Sequence, residues 1–259
     1  MAKLKKRILV MGLPGSGKTY LAKKLAEKLK ADWFNADKIR GKYNDWDFTN
    51  LGIIRQVKRM KNLANNSKKK FVIADFICPL KKQFDIFKPH LVIWMDTIKK
   101  SRYPKMDKIF KKPKKYDFRI TSKNADLWLM PIIDKILGYK WDEKLPTTQM
   151  LGRFQPWHKG HRMIFERALI KHGQVNIQIK NVWKLGDNPY NFKQIKRKIL
   201  IDLEYFKKRV KISNMPNISE IVYGRKVGYK ITKIVLPKKI QKISATQIRN
   251  KMRKEGKLS

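Results

Sequence analysis

The sequence predicts an α/β fold made of two doubly wound parallel-sheet domains. Three observations predict it: short apolar runs alternate with segments of helical period, a glycine-rich loop joins the first run to the first helix, and the alternation restarts after a break near residue 140. Strands separated by helices pair in parallel, because each crossover returns the chain to the same end of the sheet. At 259 residues the chain is comfortable for two domains of about 100–200 residues each.

RILVMG (7–12) is a short apolar run closing on glycine, as suits a buried parallel strand. After the loop, Leu21, Leu25 and Leu29 fall at i, i+4 and i+8, one face of a helix. ADWFNAD (31–37) reads as the second strand, with Asp37 at its carboxyl end. Residues 48–66 read as a helix stopped by NNSKKK, FVIADF (71–76) as the third strand and HLVIWMD (90–96) as the fourth. The Lys/Pro-rich stretch 99–116 has no apolar period and predicts a mobile loop, followed by a helix over 124–137.

GYKWDEKLPTT (138–148) breaks the rhythm with Gly, Pro and charge. It sets a boundary: one domain over 1–140, a second over 147–259, and a linker at 141–146. In the second domain MLG (150–152) is a strand end, 161–172 a helix, 173–180 a strand and 190–207 a long helix. RVKIS (209–213) and KITKIVLP (230–237) read as strands, and 244–253 as the last helix.

Composition bounds the function. Apolar residues make up 42% of the chain, enough for packed cores, which excludes a disordered chain despite the charge. The single cysteine, Cys78, excludes an intramolecular disulfide and fits a reducing cytoplasm. No stretch approaches the ~20 apolar residues of a membrane span, so the expectation is a cytoplasmic protein without a membrane partner. The net charge of +43 has two readings, nucleic-acid binding or compositional bias. The lysines are scattered along the whole chain and form no stripe, which favours bias, although nonspecific, salt-dependent polyanion binding is expected either way. Oligomeric state is not legible.

Gly12, Gly17, Lys18 and Thr19 fit G-x-x-x-x-G-K-S/T, between a predicted strand and a predicted helix. Gly12, Gly15 and Gly17 let backbone N–H groups turn inward around the phosphates of ATP, and the helix N-terminus adds its dipole. Lys18 would reach the β- and γ-phosphates, and the Thr19 hydroxyl would hold Mg²⁺. Asp37 and Asp75 sit at predicted strand ends, where ligands bind in an open α/β sheet. Either is a candidate to accept a substrate proton or hold a metal-bound water, with Asp75 also a candidate Mg²⁺ partner; the bland alternative is that each caps the following helix. Arg102 and Arg119 flank the loop at 99–116 and are candidates for stabilising a transferring phosphoryl group.

GRFQPWHKGH (152–161) concentrates two of the chain's four histidines in one decapeptide. Arg153, His158 and His161 converging at the start of a helix suit an α-phosphate under attack, and Gly160 allows a phosphate to approach closely. A metal pair and ordinary surface histidines are the competing readings; for the metal, no carboxylate or third histidine lies nearby in sequence to complete a zinc set. ISATQIR (243–249) places Ser244, Thr246 and Arg249 at another helix start, an anion site or, more plainly, a cap with Ser244 at the N-cap.

The first half resembles the adenylylsulfate kinase family in its glycine loop, in FNADKIR (34–40), ADFICP (74–79) and VIWMDT (92–97). That resemblance implies a P-loop NTPase fold, ATP and Mg²⁺ as cofactors, and a substrate pocket lined by Asp37, Arg40, Asp75, Phe76 and Pro79. Cys78 stands where the family has serine, and Leu80-Lys81-Lys82 stands where it has an arginine. The second half, through H-x-G-H and I-S-x-T-x-x-R, resembles nucleotidyltransferases of the nicotinamide mononucleotide adenylyltransferase and cytidylyltransferase type. That implies a Rossmann-like nucleotidyltransferase fold in which His158 and His161 stabilise the α-phosphoryl transition state. Gly152, Arg153, Phe154, Gly160, Ser244, Thr246 and Arg249 would hold ATP or CTP, with Asn188 of the DNPYNF segment and Gly224 and Arg225 of VYGRKVGY around the substrate. The pairing of halves is similar to two-domain kinase–nucleotidyltransferase proteins of viruses of marine bacteria, for which the setting would be the host cytoplasm.

The expectation is therefore a bifunctional transferase acting on small molecules. One half would phosphorylate an adenylylsulfate-like or nucleoside acceptor, and the other would transfer an adenylyl or cytidylyl unit with release of pyrophosphate. A nicotinamide riboside kinase fused to a mononucleotide adenylyltransferase is one version. A basic nucleic-acid end-processing protein and a nucleotide-sensing regulatory module are the rivals from other classes.

Overall fold

The computed structural model describes residues 5–258 except 223, 226, 227 and 229. The chain divides into two compact units, Met1–Ile136 and Leu137–Ser259. The first runs β1 (Lys6–Gly12), α1 (Lys18–Leu29), β2 (Asp32–Asn35), α2 (Ala36–Lys42), α3 (Asn50–Asn66), β3 (Phe71–Asp75), α4 (Lys81–Phe87), β4 (Leu91–Met95), α5 (Pro104–Ile109), β5 (Phe118–Ile120) and α6 (Ala125–Leu137). Its five strands lie in the order β2-β3-β1-β4-β5, all parallel.

Both faces of this sheet are apolar. Leu9, Met11, Val72, Ala74 and Trp94 pack with Ile39 of α2, Val57 and Met60 of α3, and Phe87 of α4. Ile8, Val10, Ile73 and Ile93, one residue out of phase and also buried, point to the opposite face. There α1 supplies Leu21, Leu25 and Leu29, the face its periodicity predicts. Each such side chain contributes about 1.5–3 kcal/mol by leaving water. Register then sets the site: Val10 lies beside Asp75, Asn35 beside Asp75, and Gly12 beside Met95. The loop after β1 thus opens between the ends of β3 and β4.

Two expectations for this unit change. The stretch 99–116 contains α5, started by Pro104 at its first turn and burying no residue, which is why no apolar period marks it. Its base is also tied down, since Asp107 accepts from Ser101 N at 2.9 Å and from Ser101 Oγ at 2.6 Å. Asp37 belongs to the first turn of α2, because β2 ends at Asn35.

The second unit contains β6 (Thr148–Gly152), α7 (Lys159–His172), β7 (Val175–Lys180), α8 (Phe192–Asp202), a 3-10 turn at Glu204–Arg209, β8 (Val210–Met215), α9 (Lys238–Gln241) and α10 (Ala245–Lys254). Its sheet is parallel, three-stranded, in the order β6-β7-β8. Residues 141–146 pack within this unit. The buried Gln174 amide donates to Asp142 O at 2.7 Å and to Thr147 Oγ1 at 2.6 Å, and Tyr139 Oη donates to Gln174 Oε1 at 2.7 Å.

Three readings of this unit are corrected. Residues 230–237 form no strand: KITKIVLP has strand-like apolar residues, but Ile231 and Val235 are exposed and no neighbouring strand pairs with them among the described residues. The long helix at 190–207 ends at Asp202 and gives way to the 3-10 turn. The doubly wound expectation holds less well here, because burial alternates along β7. Val175, Ile177 and Ile179 are buried on the side where α7 packs, while Asn176, Gln178 and Lys180 point to a partly open face.

Candidate functional site

The loop of residues 12–19 needs glycine in two places. At Gly12, φ is 145°, and a Cβ there would lie 2.5 Å from Met95 O. Gly17 caps α1 in the left-handed region, φ 94°, which side chains disfavour. Between them the Ser16 hydroxyl is buried without a hydrogen-bond partner. A buried polar group with no partner at a helix start fits a phosphate ligand.

Lys18 folds back across the loop and donates to Leu13 O at 2.9 Å. Burial lowers its pKa to about 8, against the opposing pull of Asp75 and Asp37. Asp75, 1% exposed, accepts from Trp33 Nε1 at 2.6 Å, Thr19 Oγ1 at 2.8 Å and Asn35 Nδ2 at 2.9 Å. Burial raises its pKa above the usual carboxylate range despite these donors and Lys18. Trp33 and Asn35 were not foreseen as part of this cluster; they lie about 40 residues away from Asp75, and only the β2–β3 register joins them.

The Thr19 hydroxyl and the Asp75 carboxylate are adjacent hard oxygen donors, the kind Mg²⁺ takes alongside phosphate and water. Among the described residues no group of three or more His, Cys, Asp or Glu could hold a metal by itself. As two adjacent oxygens, Thr19 and Asp75 fit an ion that arrives with a nucleotide. Asp37 is exposed at the start of α2. It is not the cap of that helix: Asn35 is, accepting from Lys38 N at 2.9 Å.

The remaining predicted residues of the first unit are mostly held in the framework. Arg40 is 4% exposed and donates to Asp45 O and Asp47 O, each at 2.9 Å, which shapes the turn before α3. Phe76 is buried edge-on against Phe87. Pro79 is buried, and its carbonyl accepts from Lys111 N at 3.3 Å. Arg119 is engaged by Asp96, with Nε at 2.9 Å and Nη2 at 2.6 Å from Oδ2, while Arg102 stacks beside Tyr103.

In the second unit His158 and His161 form a pair at the start of α7. His158 N donates to His161 Nδ1 at 3.3 Å, Gly160 N donates to His158 Nδ1 at 3.1 Å, and the rings stack with centroids 3.8 Å apart. Both Nδ1 atoms act as acceptors, so both rings are neutral. Burial lowers the pKa of His158, and burial with His158 beside it lowers that of His161 to about 3. A side chain at Gly160 would press on the His158 ring at 2.9 Å, so this glycine makes room for the imidazole. Phe154 packs edge-on against His161 at 5.0 Å and stands directly over Gly152. Arg153 is exposed and lines a cleft of about 520 Å³ along the ends of β6, β7 and β8, together with Gly152, Lys180 and Met215.

The segment at 243–249 comes to the same place. Arg249 is 7% exposed; its Nη1 donates to Gln155 O, its Nε to Asp187 Oδ2 at 2.7 Å, and its Nη2 to Thr246 Oγ1 at 3.1 Å. Gln155 in turn exchanges two bonds with the Tyr190 backbone, at 2.7 and 2.9 Å. Gln155 and Asp187 thus join 152–161, 187–192 and 243–249, a role no local pattern announced. Ser244 is the N-cap of α10 by position but makes no side-chain capping bond. Asn188 is buried with its Oδ1 unpartnered. Gly224 and Arg225 lie in exposed bends; their neighbours Tyr223, Lys226, Val227 and Tyr229 are outside the described residues.

Among the described residues no helix is long and apolar enough to cross a membrane. No protein-family profile matches the chain, and no curated protein matches it. Among solved structures it is similar to an APS kinase of Mycobacterium tuberculosis at 20% identity, covering 52% of this chain and 98% of that one with a TM-score of 0.42. It is also similar to a shikimate kinase of Acinetobacter baumannii at 17% identity, covering 54% and 97% with a TM-score of 0.41. A gluconokinase of Sinorhizobium meliloti is similar at 14% identity, covering 46% and 82% with a TM-score of 0.34. All three are kinases, and each likeness spans about half of this chain.

Proposed function

We propose that the first unit is an ATP-dependent kinase of a small hydroxyl-bearing acceptor. The observation that carries this is the convergence of Lys18, Thr19 and Asp75 beneath a glycine loop that buries an unpartnered Ser16 hydroxyl. Backbone N–H groups of the loop and the α1 N-terminus take the polyphosphate. Lys18, charged when the phosphates are present, leaves Leu13 O for the γ-phosphoryl oxygens and follows their charge through the transition state. Mg²⁺, held through Thr19 and Asp75, would neutralise the same oxygens. Asp37 accepts the proton of the acceptor hydroxyl as its oxygen bonds to the γ-phosphorus and ADP departs. The acceptor class is an adenylylsulfate-like molecule or a nucleoside.

The second unit has its own reading, nucleotidyl transfer from ATP or CTP to a phosphorylated acceptor. What favours it is the meeting of two helix starts, α7 with its histidine pair and α10 with Thr246 and Arg249, through Gln155. Two helix N-termini and a guanidinium suit a triphosphate, and imidazole N–H groups suit the oxygen charge that builds at its α-phosphorus.

One experiment tests both. Purified protein is given ATP or CTP with adenylylsulfate, nicotinamide riboside, nicotinamide mononucleotide or phosphosugars, and ADP and pyrophosphate are followed separately. Lys18→Ala should remove only ADP formation, and His161→Ala only pyrophosphate release. Absence of both products with every acceptor sinks the proposal.

A further inference from the structure

A second polar surface of the Leu137–Ser259 unit lies apart from the histidine pair. Interior strands of parallel sheets are ordinarily apolar on both faces, yet β7 carries Asn176, Gln178 and Lys180 on one of them. Register aligns Gln149, Asn176 and Lys211 in a row across the beginnings of the three strands, whereas Gly152 and the cleft beside Arg153 lie at their ends. Asn176 Nδ2 donates to Gln149 Oε1 at 2.9 Å. The row therefore presents one amide N–H₂ group and one amide oxygen side by side.

This row lies in a groove of about 720 Å³, walled by Trp141 and by Lys196 and Leu200 of α8. The volume falls within the ~300–1,000 Å³ usual for small-molecule sites. Glu143 pairs with Lys211, whose ammonium lies 5.2 Å from the centre of the Trp141 ring system. Lys196, half-buried, is the groove's other ammonium.

We propose that this groove binds a nucleoside monophosphate, with the base on the Trp141 indole, its hydrogen-bonding edge on the Gln149–Asn176 pair and its phosphate on Lys196. Indole faces stack on bases with about 1–3 kcal/mol each, and amide side chains match the donor–acceptor edges of bases. An apolar ligand would strand the amides. Inorganic phosphate would leave both the indole and the amides unused. Lys211 is already held by Glu143, which leaves Lys196 as the groove's ammonium for a phosphate, and a single such charge suits a monophosphate better than a longer polyphosphate.

The test is a titration of the ¹⁵N-labelled full-length chain, following the Trp141 indole N–H resonance, assigned with Trp141→Phe. AMP and CMP are compared with adenosine, inorganic phosphate, ATP and a short oligonucleotide lacking terminal phosphates. The expected result is a saturable shift with AMP or CMP that persists in His161→Ala and is weakened about tenfold or more, or about 1.4 kcal/mol, in both Asn176→Leu and Lys196→Ala. Lys196 is half-buried with its ammonium 5.6 Å from the centre of the Phe192 ring, so the ¹⁵N spectrum of Lys196→Ala, unchanged away from the groove, shows that its loss of binding is read on a folded chain. No saturable shift, a shift lost in His161→Ala, or a shift given equally by inorganic phosphate or ATP overturns the proposal. So does a shift given by the oligonucleotide and not by AMP.

Discussion

Arg249 and Asp187 form a closed ion pair, with Nε donating to Oδ2 at 2.7 Å, and Arg253 holds the other carboxylate oxygen at 2.6 Å. Together the two guanidinium groups hold the Asp187 carboxyl down at a pKa of about 2, so the pair persists throughout the neutral range. A triphosphate that uses Arg249 must displace this carboxylate. Asp187→Asn should therefore lower the KM for the nucleoside triphosphate in pyrophosphate release, and Arg249→Ala should raise it about 10–100-fold, the loss of a charge-assisted hydrogen bond worth roughly 1.5–3 kcal/mol. Steady-state kinetics of pyrophosphate release checks both, and an unchanged KM in each variant removes Arg249 from the site.

Lys18 ties nucleotide binding to protons. Burial holds its pKa near 8 in the free chain, and a polyphosphate beside it favours the charged form. ATP binding should take up a proton around pH 8 and weaken as pH rises through 8. Calorimetry in two buffers of unlike ionisation heat measures the uptake, which should vanish in Lys18→Met. In the free chain the sign of the stability term follows. Between pH 8 and 10.5 the unfolded chain keeps a proton on Lys18 that the folded chain has released, so this residue's contribution to stability rises with pH there.

Asp75→Asn tests the ion and phosphate cluster. The amide still fills the space but loses the charge that Thr19, Asn35 and Trp33 surround. ADP formation should fall by about 10²-fold or more, while thermal stability falls by about 1–3 kcal/mol because one of three donors is left unpaired. A variant with full activity would separate Asp75 from the chemistry.

His161 should stay neutral across the physiological range. Its folded pKa, about 3 against an ordinary 6.5, means that the unfolded chain binds a proton that the folded chain excludes. The stability it contributes is complete above pH 6.5 and is lost as pH falls toward 3. NMR titration of the four histidines should show no inflection for His161 between pH 5 and 8. An inflection near 6.5 would mean that the stacked pair is absent in solution.

The parts of this molecule legible in its sequence are those fixed over a few residues. The loop 12–19, the Leu21–Leu25–Leu29 face of α1 and the apolar runs of β1, β3 and β4 each carry their own signal within one or two turns. What escaped depends on distant partners or on length. β5 has three residues and α4 seven, of which only Gln83 and Phe87 are buried, too short for a period to show. KITKIVLP has the residues of a strand but pairs with no other strand among the described residues, and local preference yields to that. The candidate sites divide in the same way. Lys18, Thr19, His158 and His161 were visible as motifs, whereas Trp33, Gln155 and Asp187 act across separations of 35 to 94 residues.

The three-stranded sheet of the second unit has a consequence for how copies of the chain coexist. Among the described residues β7 is paired along both sides and β6 and β8 are each paired on one, and the TQMLG sequence of β6 carries no charge. Such edges are templates for strand addition by another molecule. Copies that each carry +43 repel one another over a Debye length of about 10 Å at 0.1 M salt, but only about 3 Å at 1 M. The lysine excess thereby acts as a colloidal guard, and concentrated salt is the condition that removes it.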